Sequence, residues 1–147
     1  MNLKKTLLSI AIAALTAGAV FAQTQESAVL KNNDNKTALE VYNVMKAQGS
    51  GARNRGKANS APKVNITGYA VKVGPDVYGL PSVELSEKKG GKTRTLCVLP
   101  FSDYLKLRHV SKGDKVVMNG EVRGYSGEYD FVLVKQSKIV TVNGEKP

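Results

Sequence analysis

The sequence closes with two strand-like runs, KVVMNGEVRGY from Lys115 to Tyr125 and YDFVLVKQSKIVTV from Tyr129 to Val142. In the first run apolar or small residues alternate with polar ones, which is the period of a half-buried strand. The short polar turn between the runs, Ser126-Gly127-Glu128, is typical of a β-hairpin. These features predict the closing hairpin of a small β-barrel, a scaffold that more often binds a ligand than catalyses a reaction.

A long first strand is predicted to begin at Val64. Val64 and Ile66 share one face of an extended segment, but beyond Gly68 the apolar residues fall on the other parity, at Tyr69, Val71 and Val73. One extra residue in the strand would produce this change, so we expect a β-bulge at Gly68. Such a bulge would bend the strand enough for it to pair with both halves of a closed barrel.

Two more strands and a short helix are predicted between the first strand and the closing hairpin. The strands span Ser82 to Glu87 and Arg94 to Leu99, and the second has apolar residues on both parities, which indicates burial on both faces. Pro100 ends it. Ser102 is then expected to cap a short helix that carries Tyr104, Leu105 and Leu107, with Phe101 just ahead as a packing residue.

Three strands, a short helix and two further strands make up the order of the five-stranded Greek-key OB-fold barrel. The predicted class is therefore all-β, with an extra helix at the N-terminal side. Thr37 and Glu40 form a capping box, and an apolar stripe follows it, which predicts a helix from Ala38 to Ala47. Because so short a helix is marginal alone, we expect its stripe to pack on the barrel.

The N-terminus has the pattern of a secretory signal peptide. Lys4 and Lys5 precede an apolar run from Leu7 to Phe21, and small residues flank the end of that run, so we expect cleavage before Gln23. The run is shorter than a membrane-spanning helix requires, and no second apolar stretch follows it. The expected location is the periplasm or the medium of a bacterium. Cys97, the only cysteine, has no partner for an internal disulfide.

The predicted organisation is a signal peptide (1–22), an N-terminal helix with a basic linker (23–63), the OB-fold domain (64–142) and a short tail (143–147). The formal net charge of the whole chain is +10, and it stays positive after loss of Lys4 and Lys5. Such a surface favours anionic partners, although basic exported proteins without one also exist. The glycine-rich basic loop from Arg53 to Lys57 is predicted to be a solvated linker, with wrapping of an anionic polymer as the alternative.

Several short motifs resemble the tRNA-anticodon-like OB-fold family, which includes many short exported bacterial proteins. The resemblance covers about residues 36 to 142 and rests on turn glycines and core valines, in the runs Asn65-Ile66-Thr67-Gly68-Tyr69-Ala70-Val71, Ser82-Val83-Glu84-Leu85, Lys112-Gly113-Asp114-Lys115-Val116, Asn119-Gly120-Glu121-Val122 and Phe131-Val132-Leu133. It implies the OB fold and, by analogy with the family name, nucleic-acid binding.

OB folds that hold single strands do so across strands two and three, between the loops that join strands one to two and four to five. Here those two strands contain no aromatic residue, and Glu84 places a negative charge near the face. The flanking segments supply the candidate ligand contacts, namely Lys72, Tyr78, Arg94, Arg123, Tyr125 and Tyr129. In the alternative interpretation Tyr69 and Tyr129 cap the core, and Tyr78 and Tyr125 are ordinary turn aromatics.

Catalytic patterns are absent from the sequence. His109 is the only histidine, and no cysteine or second histidine stands near it to share a metal. We therefore expect no enzyme activity, no metal and no cofactor. Two functions remain: a module that binds nucleic acid or an anionic glycan, and an envelope module that binds or assembles with another protein and has no nucleic-acid ligand. The sequence leaves the oligomeric state of the protein open.

Overall fold

The computed structural model describes residues 29–50 and 61–147. The predicted signal peptide and the basic loop from Arg53 to Lys57 lie outside the described residues. The described part contains six strands and two helices in the order β1 (Asn35–Thr37), α1 (Ala38–Gln48), β2 (Lys63–Pro75), β3 (Pro81–Ser86), β4 (Thr95–Val98), a 3-10 helix (Phe101–His109), β5 (Lys115–Ser126) and β6 (Phe131–Val142).

Five of the strands close into a barrel. β2 pairs antiparallel with β3 along its second half and with β5 along its first half. β3 pairs with β4, β4 runs parallel to β6, and β6 returns antiparallel to β5. This is the predicted OB-fold barrel, and β2 to β6 are the five predicted strands. β1 was not predicted; it lies parallel to the start of β2, on the edge that β3 leaves open.

The barrel has two ends, and each carries a helix. At one end, here called the 3-10 end, the β2–β3 loop (76–80) lies beside the start of the 3-10 helix, because the Leu99 N–H donates to the Pro81 carbonyl at 2.8 Å. At the other end, here called the α1 end, the β3–β4 and β5–β6 loops meet where the Val132 N–H donates to the Arg94 carbonyl at 2.9 Å. The two loops expected to flank a ligand therefore lie at opposite ends.

Alternate residues of β5 fill the barrel as the sequence indicated. Val116, Met118 and Val122 are fully buried, with Gly120 between them on the same face. The same period in the other strands completes the core, whose largest fully buried side chains also include Ile66, Leu85, Leu99, Val83, Val132 and Val134. Cys97 lies inside this core, and burial raises the pKa of its thiol to about 12. It therefore serves as a small core residue.

The bulge predicted at Gly68 is wrong in position. The inward parity of β2 continues unchanged through Gly68 to Ala70, and the register of β2 against β3 shifts between Ala70 and Lys72. Gly68 has a different role. A Cβ built there would lie 2.9 Å from both the Leu85 Cβ and the Ser86 carbonyl oxygen, so glycine is needed for close approach of neighbouring backbone.

The N-terminal helix is confirmed and is one residue longer than predicted. The Thr37 hydroxyl accepts a hydrogen bond from the Glu40 N–H, and the Glu40 carboxylate accepts one from the Thr37 N–H, which is the predicted capping box. Its buried face packs on the barrel core, as expected, through Ala38, Val41, Tyr42 and Met45. This packing supplies the stability that an isolated helix of 11 residues would lack.

The helix after β4 differs from its prediction in two respects. Ser102 does not cap it: Pro100 is the N-cap, and no side chain bonds to the first turn. Phe101 is not a packing residue, since 70% of it is exposed. Because the segment is a 3-10 helix with three residues per turn, Phe101, Tyr104 and Leu107 form one row along it, and only Leu107 reaches the core.

Candidate ligand-binding face

The face where OB folds hold ligands is formed by β3, β4 and the loops at their two ends. Glu84 lies near its centre, where it accepts a hydrogen bond from the Thr93 hydroxyl at 2.7 Å. The Lys72 ammonium, from β2, lies 4.0 Å from the same carboxylate, and the Lys72 side chain is 65% exposed. The centre of the face thus carries one negative and one positive charge, and the lysine is free to turn toward solvent.

Arg94 is held by two partners. Its guanidinium makes a forked ion pair with the Glu87 carboxylate, at 3.0 Å from Nε and 3.3 Å from the second nitrogen. Its central carbon also lies 4.7 Å from the centre of the Tyr42 ring, which is a cation–π contact. The hydrogen bond from Arg94 holds the pKa of Glu87 below its ordinary value. A ligand phosphate would have to compete with this pair.

Arg123 is likewise engaged, because it pairs on the same strand with Glu121. Its Nε is buried and has no hydrogen-bond partner among the described residues. Two of the three cations predicted as ligand contacts are therefore already neutralised by neighbouring carboxylates. Only Lys72 combines high exposure with a long ion-pair distance.

Tyr125 belongs to a polar cluster at the α1 end. The Asp130 carboxylate accepts hydrogen bonds from the Tyr125 hydroxyl at 2.6 Å and the Tyr42 hydroxyl at 2.7 Å, and the two rings meet edge to face, 5.9 Å apart. Lys92 also pairs with Asp130, and Lys46 lies 3.5 Å away. We call these five residues the Asp130 cluster. It joins α1 to the β3–β4 and β5–β6 loops.

Charge and hydrogen bonds within the Asp130 cluster shift its pKa values. The hydrogen bond from Lys92, followed by those from Tyr125 and Tyr42, holds the pKa of Asp130 well below its ordinary value. Donation to Asp130 raises the pKa of Tyr125, and the hydrogen bond with Tyr42 raises that of Lys46. The Asp130 carboxylate thus stays ionised, and its hydrogen-bonding capacity is used within the cluster, which has a structural role. Asp130 itself lies in the left-handed region, with φ of 55°.

Two of the three predicted tyrosines remain accessible. Tyr129 is 63% exposed in the β5–β6 loop, where its ring stacks on Phe131 with the ring centres 5.7 Å apart. β6 begins at Phe131. At the opposite end Tyr78 is 86% exposed, in a loop held by Asp76, whose carboxylate accepts the Tyr78 and Leu80 N–H groups at 2.8 and 2.9 Å.

Comparison with known proteins places this barrel in a family. The sequence model of the tRNA_anti-like family matches residues 1–138. The chain belongs to the tRNA_anti-like family. A solved structure with a similar fold is the "putative nucleic acid-binding lipoprotein" from Klebsiella pneumoniae subsp. pneumoniae MGH 78578, with a TM-score of 0.52 and 14% sequence identity over 74% of this chain and 92% of that one. No curated protein matches the sequence.

In this tRNA_anti-like chain the six predicted contacts do not form one continuous site. Arg94 and Tyr125 meet at the α1 end through Tyr42, while Tyr129 lies in the adjoining loop. Tyr78 lies at the 3-10 end, and Lys72 and Arg123 have separate acidic partners. The face is therefore a polar strip with one accessible tyrosine at each end.

Three aromatic residues that are exposed or half-buried were not predicted as candidate contacts, namely Phe101, Tyr104 and Phe131. Phe131 supports Tyr129, and Phe101 and Tyr104 lie at the 3-10 end with their ring centres 6.1 Å apart. The cations that follow them in sequence, Lys106 and Arg108, were a signal that this helix faces solvent. Across residues 29–50 and 61–147, no three acidic, histidine or cysteine residues come together as a metal site would need. None of the helices described is long and apolar enough to cross a membrane.

Proposed function

We propose that this tRNA_anti-like chain is an exported, non-enzymatic module that binds single-stranded nucleic acid or another anionic polymer across β3 and β4. The observation that carries the proposal is the exposure of Tyr78 and Tyr129 at the two ends of that face. Neither ring contributes to the core, and stacking of a base is the established use of such rings on OB folds.

The charges on the face favour stacking over a dense set of phosphate contacts. Glu87 and Glu121 neutralise the nearest arginines, so Lys72 is the cation best placed to reach a phosphate. Affinity for single strands falls with salt by about 0.7 logarithmic unit per neutralised phosphate. With so few free cations among the described residues of this face, we expect a shallow slope of roughly −1 to −2.

The wider features of the chain agree with this proposal. The family name refers to tRNA, and the Klebsiella pneumoniae protein is described as nucleic acid-binding. That protein is also described as a lipoprotein, which fits an exported chain. The chemical groups that would support an enzyme are poorly placed, because Cys97 is buried and His109 stands exposed at the end of the 3-10 helix.

Fluorescence anisotropy with a labelled single-stranded oligothymidine tests the proposal. Tyr78→Ala and Tyr129→Ala should each weaken binding by about 5- to 150-fold, the range measured for loss of one stacked base. Tyr78→Phe and Tyr129→Phe are matched controls, because they keep the ring and lose only the hydroxyl, and they should bind as the unaltered protein does. If the unaltered protein fails to bind, or the alanine variants bind equally well, the proposal is wrong.

A further inference from the structure

The 3-10 end of the barrel exposes a set of apolar residues, of which the proposed function uses only Tyr78. In the β2–β3 loop Val77 is 90% exposed, and in the 3-10 helix Phe101 and Leu105 are 70% and 73% exposed. We call the whole set the apolar end; it comprises Val77, Tyr78, Leu80, Phe101, Tyr104 and Leu105.

Two separate segments place these residues at the same end of the molecule. The hydrogen bond from Leu99 to Pro81 joins the base of the loop to the residue that precedes Pro100, where the helix begins. Leu107 and Val110 anchor the helix in the core, so its other apolar residues are directed away from the barrel. Apolar side chains displayed together in this way mark an interaction surface more often than they serve the fold.

A cation lies beside the apolar end. Arg108 follows Leu105 by one turn of the 3-10 helix, and it forms no ion pair with any residue that the structure describes. Asp103, the acidic residue of the same helix, is already paired with Lys106 at 3.0 Å. The segment therefore presents apolar tips beside unneutralised positive charge.

We propose that the apolar end docks on an anionic lipid surface. Aromatic rings near cations suit the interface of a bilayer, where the rings lie among the headgroups and the cations meet anionic lipids. The aliphatic tips Val77 and Leu105 decide between a membrane and a nucleic acid, because an aliphatic side chain has no ring to stack on a base but gains from insertion among acyl chains. The unpaired Arg108 beside these tips favours the anionic membrane over an uncharged partner.

Docking at this end leaves the other end of the barrel free. The β5–β6 loop with Tyr129, and the Asp130 cluster beside it, lie at the α1 end and face away from the lipid surface. The barrel would then stand on the membrane by its 3-10 end. This gives the molecule a membrane contact that is separate from the Tyr129 part of the ligand-binding face.

Co-sedimentation with vesicles tests the docking. The protein is recovered after export, and its N-terminus is read by mass spectrometry, so that the apolar N-terminal run does not itself bind lipid. Phosphatidylcholine vesicles with added phosphatidylglycerol should bind it, and pure phosphatidylcholine vesicles should bind it far less. The double variant Phe101→Ser with Leu105→Ser should lower the partition by more than about tenfold. Arg108→Ala should lower it about fivefold on the anionic vesicles.

Tyr129→Ser is the matched control, because it removes an exposed aromatic ring at the opposite end, and it should leave vesicle binding unchanged. Phe101 and Leu105 are exposed, so thermal melts of their variants should match the unaltered protein. The proposal is overturned if the double variant binds vesicles as well as the unaltered protein, or if neutral vesicles bind equally. It is also overturned if the double variant changes only oligothymidine binding, or only a self-association seen by light scattering.

Discussion

Replacement of Gly68 by alanine tests how the barrel closes beneath α1. The added Cβ would lie 2.9 Å from the Leu85 Cβ and from the Ser86 carbonyl oxygen, and 3.2 Å from the Ala38 Cβ. None of these atoms is the free end of a flexible side chain. Alanine therefore forces β2, β3 and α1 apart, whereas at a bulge on the barrel surface it would be tolerated.

The size of the effect follows from two opposing contributions. Overpacking of a close-packed core costs about 1–3 kcal/mol. Alanine also restricts the unfolded chain more than glycine does, which returns about 0.4–1 kcal/mol. The net loss of unfolding free energy is then about 1–2 kcal/mol. For the roughly 110 residues that the structure describes, each kcal/mol lowers Tm by about 4 °C, so we expect a decrease of about 4–8 °C.

Thermal unfolding followed by circular dichroism measures this decrease. Gly127→Ala is the matched control, because a Cβ there would meet only the Cβ and Oγ of Ser50, both at 3.2 Å, and neither the backbone nor the core as at Gly68. Its Tm should stay the same or rise slightly. If the Gly68→Ala variant and the unaltered protein had the same Tm, neighbouring atoms would not be packed closely around Gly68 and the reasoning would be refuted.

Two further predictions concern titratable groups. The pKa of Asp130 is lowered by folding, so its stabilising effect is present above the unfolded value near 4 and is lost as the pH falls below that value. Asp130→Asn should therefore lower Tm at pH 7 and flatten the decline of Tm between about pH 5 and pH 2. A variant whose curve of Tm against pH is unchanged would refute this. Because the pKa of Cys97 is raised to about 12, its thiol should react with iodoacetamide at pH 8 only when the protein is denatured, as mass spectrometry would detect; rapid labelling of the native protein would contradict the buried position.

Much of the barrel could be predicted because β5 and β6 repeat apolar residues with period two. That pattern failed in β2. Tyr69, Val71 and Val73 are apolar but only half-buried on the outer parity, while the inward positions hold Gly68 and Ala70, whose small side chains give no apolar signal. The inward positions are small because neighbouring backbone approaches closely there, and this depends on tertiary structure.

The candidate site was less predictable because its contacts join distant parts of the chain. Asp130 receives hydrogen bonds from Tyr42, 88 residues away in sequence, and from Lys92, 38 residues away. Nothing local to Tyr42 distinguishes it from the other members of an apolar helical stripe. The acidic partners of Arg94 and Arg123 were equally hidden, since a sequence gives residue types but not which charges neutralise each other.

The central claim is that a polymer ligand lies across β3 and β4 between the two accessible tyrosines. Titration of the isotope-labelled protein with single-stranded oligothymidine, followed by amide chemical shifts, tests it most directly. The account predicts shifts concentrated in the β2–β3 loop (76–80), in β4 and in the β5–β6 loop (127–130), with little change in α1. Shifts confined to other surfaces, or none at high ligand concentration, would contradict it.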